Sequence, residues 1–198
     1  FFLKKKKNNQ KKKIIFASSV GMNPDFYFGS IIAKSLTNQG HEVKTLICDG
    51  KMFACFNCKF ADYSSLKSID NLNLKGPQSL CKICFNWGKK IVDNGNLDHF
   101  FYSSFLKYSD FNSLFKNIDK IKDINKLKNF KYKKINVGDH SFASSVRFFA
   151  NPNLELENGY LSIFKAYVKS SILTVEVLNK LNKVYNFKYL LIDHGIYV

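Results

Sequence analysis

The sequence predicts an α/β fold: a Rossmann-like parallel sheet flanked by helices, with a Cys-rich insertion after the second strand. Three observations predict it. Two strand-length apolar runs enclose a helical pattern within residues 13–48, and a third strand-like run lies at 188–193. At 198 residues and 45% hydrophobic content, the chain has enough apolar material for one core and not for two large domains.

Lys13 to Ala17, "KIIFA", ends in small polar residues and reads as a buried parallel strand entering a loop. Residues 26–39 follow with apolar side chains at helical spacing: Phe28, Ile31, Ile32 and Leu36. Gly40 stands where a helix C-cap glycine belongs, and "HEVKTLIC" at 41–48 is the second strand. This is a βαβ unit, whose crossover is right-handed and whose strands are parallel. After Gly50 the regularity breaks: 51–80 reads as loop, and 81–93 as a helix. Residues 98–134 mix aromatics with lysines and predict two or three short helices. Residues 138–150 predict a helix capped by Asp139 or Ser141, 158–185 a long helix, and 188–193 a strand. The organisation is then a lysine-rich tail over 1–12 and one lobe over 13–198, with the insertion at about 51–95. A first residue that is not Met, and an end just past a strand, predict a piece of a longer protein lacking a C-terminal lobe.

No apolar run approaches the ~18 residues of a membrane-spanning helix, and the "FFLKKKK" start is unlike a signal peptide. The expectation is a cytoplasmic protein, where paired cysteines mean metal or catalysis more often than disulfides. The net charge of +16 would ordinarily suggest nucleic acid or an anionic membrane. Among 31 basic residues, however, only Arg147 is arginine, and the enrichment in Lys, Asn, Phe, Ile and Tyr follows AT-rich codons. Phosphate-gripping proteins favour the bidentate fork of arginine, so nucleic acid is discounted and peripheral membrane contact is retained.

Four constellations carry candidate chemistry. Cys55, Cys58, Cys81 and Cys84 form two Cys-x-x-Cys pairs, 22 residues apart, which suit a structural zinc site. An iron–sulfur centre and metal-free thiols remain alternatives, because the interval is long and no glycine follows either pair. Cys48, at the end of a strand, reads as a core residue. The loop "SSVGMNPDFYFGS" holds Gly21 and Gly29 but no dinucleotide fingerprint; it is either a packed turn or the lining of a substrate cleft. Arg147, with His140 and Ser144 on one helical face, reads as a ligand contact or a structural ion pair. Asp193 and His194 stand at the carboxyl end of a strand, where open α/β sheets bind ligands and a histidine can act as general base.

The stretch from "FASSVG" to "GHEVKTLICDG", the Cys-rich segment after it, the later "VGDHSFASSVRFF" and the closing "DHGIY" together resemble bacterial surface or capsular polysaccharide biosynthesis proteins, glycosyltransferase-like and of the two-lobed GT-B type. The resemblance implies an acceptor-side N-terminal lobe that takes a glycan or lipid-linked acceptor. The nucleotide-sugar donor would be bound mainly by a C-terminal lobe. It implies that Gly21 and Asn23 line the cleft and that His194 and Gly195 form its floor. The alternative function is a metal-stabilised basic binding module for nucleic acid or an anionic membrane surface.

Overall fold

The structure is a computed structural model and describes residues 11–18, 20–55, 57, 78–157 and 159–192. The expected parallel sheet is present. Its strands are β1 (Lys13–Ser18), β2 (Glu42–Ile47), β3 (His99–Phe101) and β4 (Tyr189–Leu191). They lie in the order β3-β2-β1-β4, and every neighbouring pair is parallel. Among the described residues six helices flank them: α1 (Pro24–Asn38), α2 (Gln78–Asn94), α3 (Asn112–Asp119), α4 (Ile124–Lys128), α5 (Val137–Phe149) and α6 (Tyr160–Tyr185).

The strand order dictates where the helices go. The chain steps from β1 through α1 to β2 and on through α2 to β3, always in one direction. Right-handed crossovers in one direction place their helices on one face. The return from β3 to β4 crosses back past β1, so α3 to α6 cover the opposite face. Alternation along β1 separates the two cores. Ile14 and Phe16 face Phe26, Ala33 and Val92 of the α1–α2 layer. Ile15 faces the larger core, with Leu46, Phe115, Phe148, Phe164 and Tyr167.

β3 falls where only short helices were expected. With three residues it has no alternation to read, and it exists by pairing with β2, Thr45 opposite His99. The expected cap of α5 at Asp139 or Ser141 is also corrected: the helix begins earlier, at Val137, with Asn136 at the N-cap position and no side-chain cap. The Ser141 hydroxyl instead bonds the Val137 carbonyl at 2.6 Å and lies 2.7 Å from that of Ser171 in α6. Gly40 does follow the C-cap of α1, at φ +88°, the left-handed region that favours glycine.

The second half of the Cys-rich segment is regular structure. α2 is the crossover helix between β2 and β3, and it packs on the sheet through Val92 and Gly88. Gly21, in the loop after β1, meets it backbone to backbone: a Cβ on Gly21 would lie 2.8 Å from the Gly88 Cα and 2.6 Å from the Cys84 carbonyl oxygen. Only glycine at both positions allows this approach. No helix among the described residues is long and apolar enough to cross a membrane.

Candidate functional site

Helix α1 is apolar on two opposite sides. Its inner side buries Phe26, Gly29, Ser30 and Ala33. Of the side chains whose spacing marked the helix in the sequence, Phe28, Ile31 and Ile32 point outward, 62%, 51% and 49% exposed, beside Tyr27 at 55%, while Leu36 is partly buried against the sheet-side cluster. The inward side can be built from small residues because Gly29 lies directly on the Phe16 ring, where a Cβ would sit 2.3 Å from Cζ. The helix therefore approaches the sheet closely and leaves its bulkier apolar residues to the outside.

Helix α2 runs beside α1 and adds Ile83 and Trp87, 51% and 58% exposed, one helical turn apart. Between the two helices lies a trough of about 910 Å³. Its walls include Tyr27, Phe28, Ile31, Trp87 and Ile91, and its charged residues are Lys34 and Lys90, with no carboxylate among the lining residues. Among the described residues neither lysine has an ion-pair partner; the acid nearest in sequence, Asp93, pairs with Lys89 at 2.5 Å. The volume lies at the upper end of the ~300–1,000 Å³ usual for small-molecule sites.

Of the residues singled out in the sequence, Gly21 and Asn23 line this trough at the start of α1. Asn23 is also the helix N-cap: its Oδ1 accepts the Asp25 amide at 3.1 Å, followed by Pro24 in the first turn. Arg147 is elsewhere, in the helical layer on the other face of the sheet. Its guanidinium donates to the Cys55 carbonyl at 3.4 Å, and the Tyr167 hydroxyl donates to the same carbonyl at 3.1 Å. Ser144, which shares its helix face, is buried and bonds the His140 carbonyl, while His140 itself is exposed. His194, Gly195 and Asp193 lie outside the described residues.

Three of the four cysteines expected around zinc are described. Cys55 follows the buried loop Met52, Phe53 and Ala54; Cys81 and Cys84 stand in the first turns of α2. The Asn57 side-chain amide lies 4.0 Å from the Cys84 sulfur. Cys58 lies outside the described residues. Among the described residues, no group of three or more His, Cys, Asp and Glu side chains is placed to hold a metal ion. Cys48, at the end of β2, is a core thiol: burial pushes its pKa up to about 11, which keeps it protonated and unreactive near neutral pH. Burial likewise raises the phenols of Tyr102 and Tyr108 above the usual tyrosine range.

The sequence reading missed Trp87 and the outward stripe of α1. The signal was present: Tyr27, Phe28, Ile31 and Ile32, together with Phe26 and Ala33, make a helix that is apolar nearly all round. Such a helix is either fully buried or has a second partner.

No protein-family model and no curated protein matches the chain. Among solved structures it is similar to one titled "Structure of CDPS from Staphylococcus haemolyticus", at 11% identity and a TM-score of 0.46, over 93% of this chain and 77% of that one. The glycosyltransferase expectation is corrected here: no glycosyltransferase family model matches the chain, and the solved structure named above is titled a CDPS.

Proposed function

We propose that the protein attaches reversibly to anionic membrane surfaces through the outer face of the α1–α2 layer. One observation carries the reading. Seven of the thirteen large apolar side chains that stay exposed among the described residues belong to α1, α2 and the loop before α1: Met22, Tyr27, Phe28, Ile31, Ile32, Ile83 and Trp87. They share that face with Lys34 and Lys90, and Lys82 flanks it. Aromatic and aliphatic side chains bordered by unpaired lysines are the chemistry of an interfacial helix on anionic lipid.

Magnitudes favour a reversible contact. Half-exposed apolar side chains each contribute about 1 kcal/mol when covered, and each lysine near an anionic leaflet contributes about 1 kcal/mol. Nine or ten such contributions, less the cost of orientation and of side chains only partly covered, give an attachment that rises and falls with salt. The cytoplasmic leaflet carries anionic lipid, and in this reading the protein works from the cytoplasm at that surface.

Co-sedimentation with vesicles tests this. The expected outcome is binding to phosphatidylcholine vesicles that contain about one-third phosphatidylglycerol, weak binding to pure phosphatidylcholine, and release at 1 M salt. Phe28→Ser with Ile31→Ser should abolish most of it. Equal binding of that variant, indifference to phosphatidylglycerol, or a stable dimer that hides this face would refute the proposal.

A further inference from the structure

We infer that the trough between α1 and α2 is a binding site for the phosphate monoester of a single long apolar chain. The inference rests on the membrane-surface reading for where such a molecule is met, and the trough itself carries the chemistry. α1 and α2 each link neighbouring strands of one parallel sheet, so they run in the same direction. Their second halves therefore share one end of the trough. That end holds Lys34, Ser35 and Asn38 from α1, with Lys90 and Asn94 from α2. Met22 of the preceding loop and Tyr27, Phe28 and Ile31 of α1 line the rest, Trp87 stands one turn before Lys90 on α2, and Ile91 and Leu97 add apolar surface beside the lysines. The lining is thus graded along α1: both lysines, Asn38 and Asn94 lie toward one end and the aromatic side chains of α1 toward the other, over a floor that is apolar throughout.

Length and charge agree with this occupant. The lining follows α1 from its cap at Asn23 to its last residue, Asn38. At ~1.5 Å per residue the α1 wall runs about 22 Å and the α2 wall, from Trp87 to Asn94, about 10 Å, so a chain laid lengthwise is enclosed at the lysine end and lies along α1 beyond it. Two lysines without a carboxylate leave that end positively charged, which suits a phosphate carrying nearly two negative charges. The side-chain amides of Asn38 and Asn94 can donate further hydrogen bonds to it. A neutral amphiphile would leave both lysines unpaired, and inorganic phosphate would leave the apolar lining uncovered.

Trp87, the only tryptophan in the chain, lines the trough and reports its occupancy. The probe is dodecyl phosphate below its critical micelle concentration, titrated into the full chain without vesicles. The expected result is a saturable blue shift of Trp87 emission. Dodecyl maltoside and inorganic phosphate should each bind at least about tenfold more weakly. The double substitution Lys34→Gln, Lys90→Gln should weaken dodecyl phosphate binding by about tenfold or more, with far-UV circular dichroism unchanged. Lys116→Gln, on the exposed side of α3, should behave as the wild type. Should the double variant not fold, Asn94→Asp places a carboxylate at the polar end and should weaken the phosphate probe alone. No saturable response, equal affinity for the neutral detergent, or wild-type affinity in these trough variants overturns the inference. Vesicle association without probe binding removes the trough inference and leaves the membrane reading. Probe binding without vesicle association does the reverse.

Discussion

Replacing Gly29 by alanine sets two known effects against each other. Alanine in a helix interior is favoured over glycine by about 0.8–1.0 kcal/mol, so on an isolated helix the change would stabilise. In this fold the new methyl would lie 2.3 Å and 2.4 Å from Cζ and Cε2 of Phe16. Ordinary contact begins near 3.4 Å, so the ring must retreat by about 1 Å or α1 must lift from the sheet. The ring has little room to move: it is 1% exposed and packs on Phe26 at a centroid distance of 5.4 Å. Overpacking of this kind costs about 1–3 kcal/mol and occasionally more. The expected net effect is destabilisation by about 1–2 kcal/mol, or roughly 2–4 °C in Tm per kcal/mol at this size. Urea unfolding followed by far-UV circular dichroism measures it, and Phe16→Leu completes a double-mutant cycle. Leucine should make room for the methyl, so the double variant should be more stable than the sum of the single effects by about 1 kcal/mol. A Gly29→Ala protein more stable than the wild type, or strictly additive effects, would refute the close-approach argument.

Two further substitutions address the larger core. The buried Ser170 hydroxyl accepts both the Phe53 and the Ala54 amides at 3.0 Å, so Ser170→Ala orphans two buried donors; we expect a loss of about 2–4 kcal/mol in chemical denaturation, and a loss under about 0.5 kcal/mol would contradict the geometry. The Cys48 thiol has its pKa raised from 9.0 to about 11 by burial, so the folded state holds its proton more tightly than the unfolded state. That contribution is fully present below pH 9 and is lost as the pH rises through about 11, for up to about 2–3 kcal/mol. Stability of Cys48→Ala should fall less steeply over that range, and an unchanged slope would argue against a buried thiol.

The sheet and its helices were legible where the chain signals itself locally. "KIIFA" and "HEVKTLIC" are apolar runs bounded by turn residues, and Gly40 marks the end of the helix between them. β3 was not legible, because His99–Phe101 becomes a strand only through its neighbour. The outward face of α1 was not legible for a subtler reason. Periodicity shows that Phe28, Ile31 and Ile32 share a side of a helix but not which side meets the sheet. Packing decided that, through Gly29 and the Phe16 ring. Arg147 stood out as the only arginine, yet what it reaches, the carbonyl of Cys55, lies 92 positions away in the chain and is set by tertiary structure alone.

The meeting of Gly21 and Gly88 has a mechanical consequence. With no side chain between the two backbones, α2 rests on a fulcrum. From Gly88 the helix extends six residues to Asn94 and seven back to Cys81, arms of about 9 Å and 10 Å at ~1.5 Å per residue. A rod tilting about such a point moves its two sides in opposite senses: Asn94 and Cys81 by nearly equal amounts, and the first residue, Gln78, ten residues from Gly88, by more. Spreading the helices around a headgroup at the Lys90 end would swing the Cys81 end the other way. The thiols of α2 are thus geared to the far end of the trough without touching anything held there.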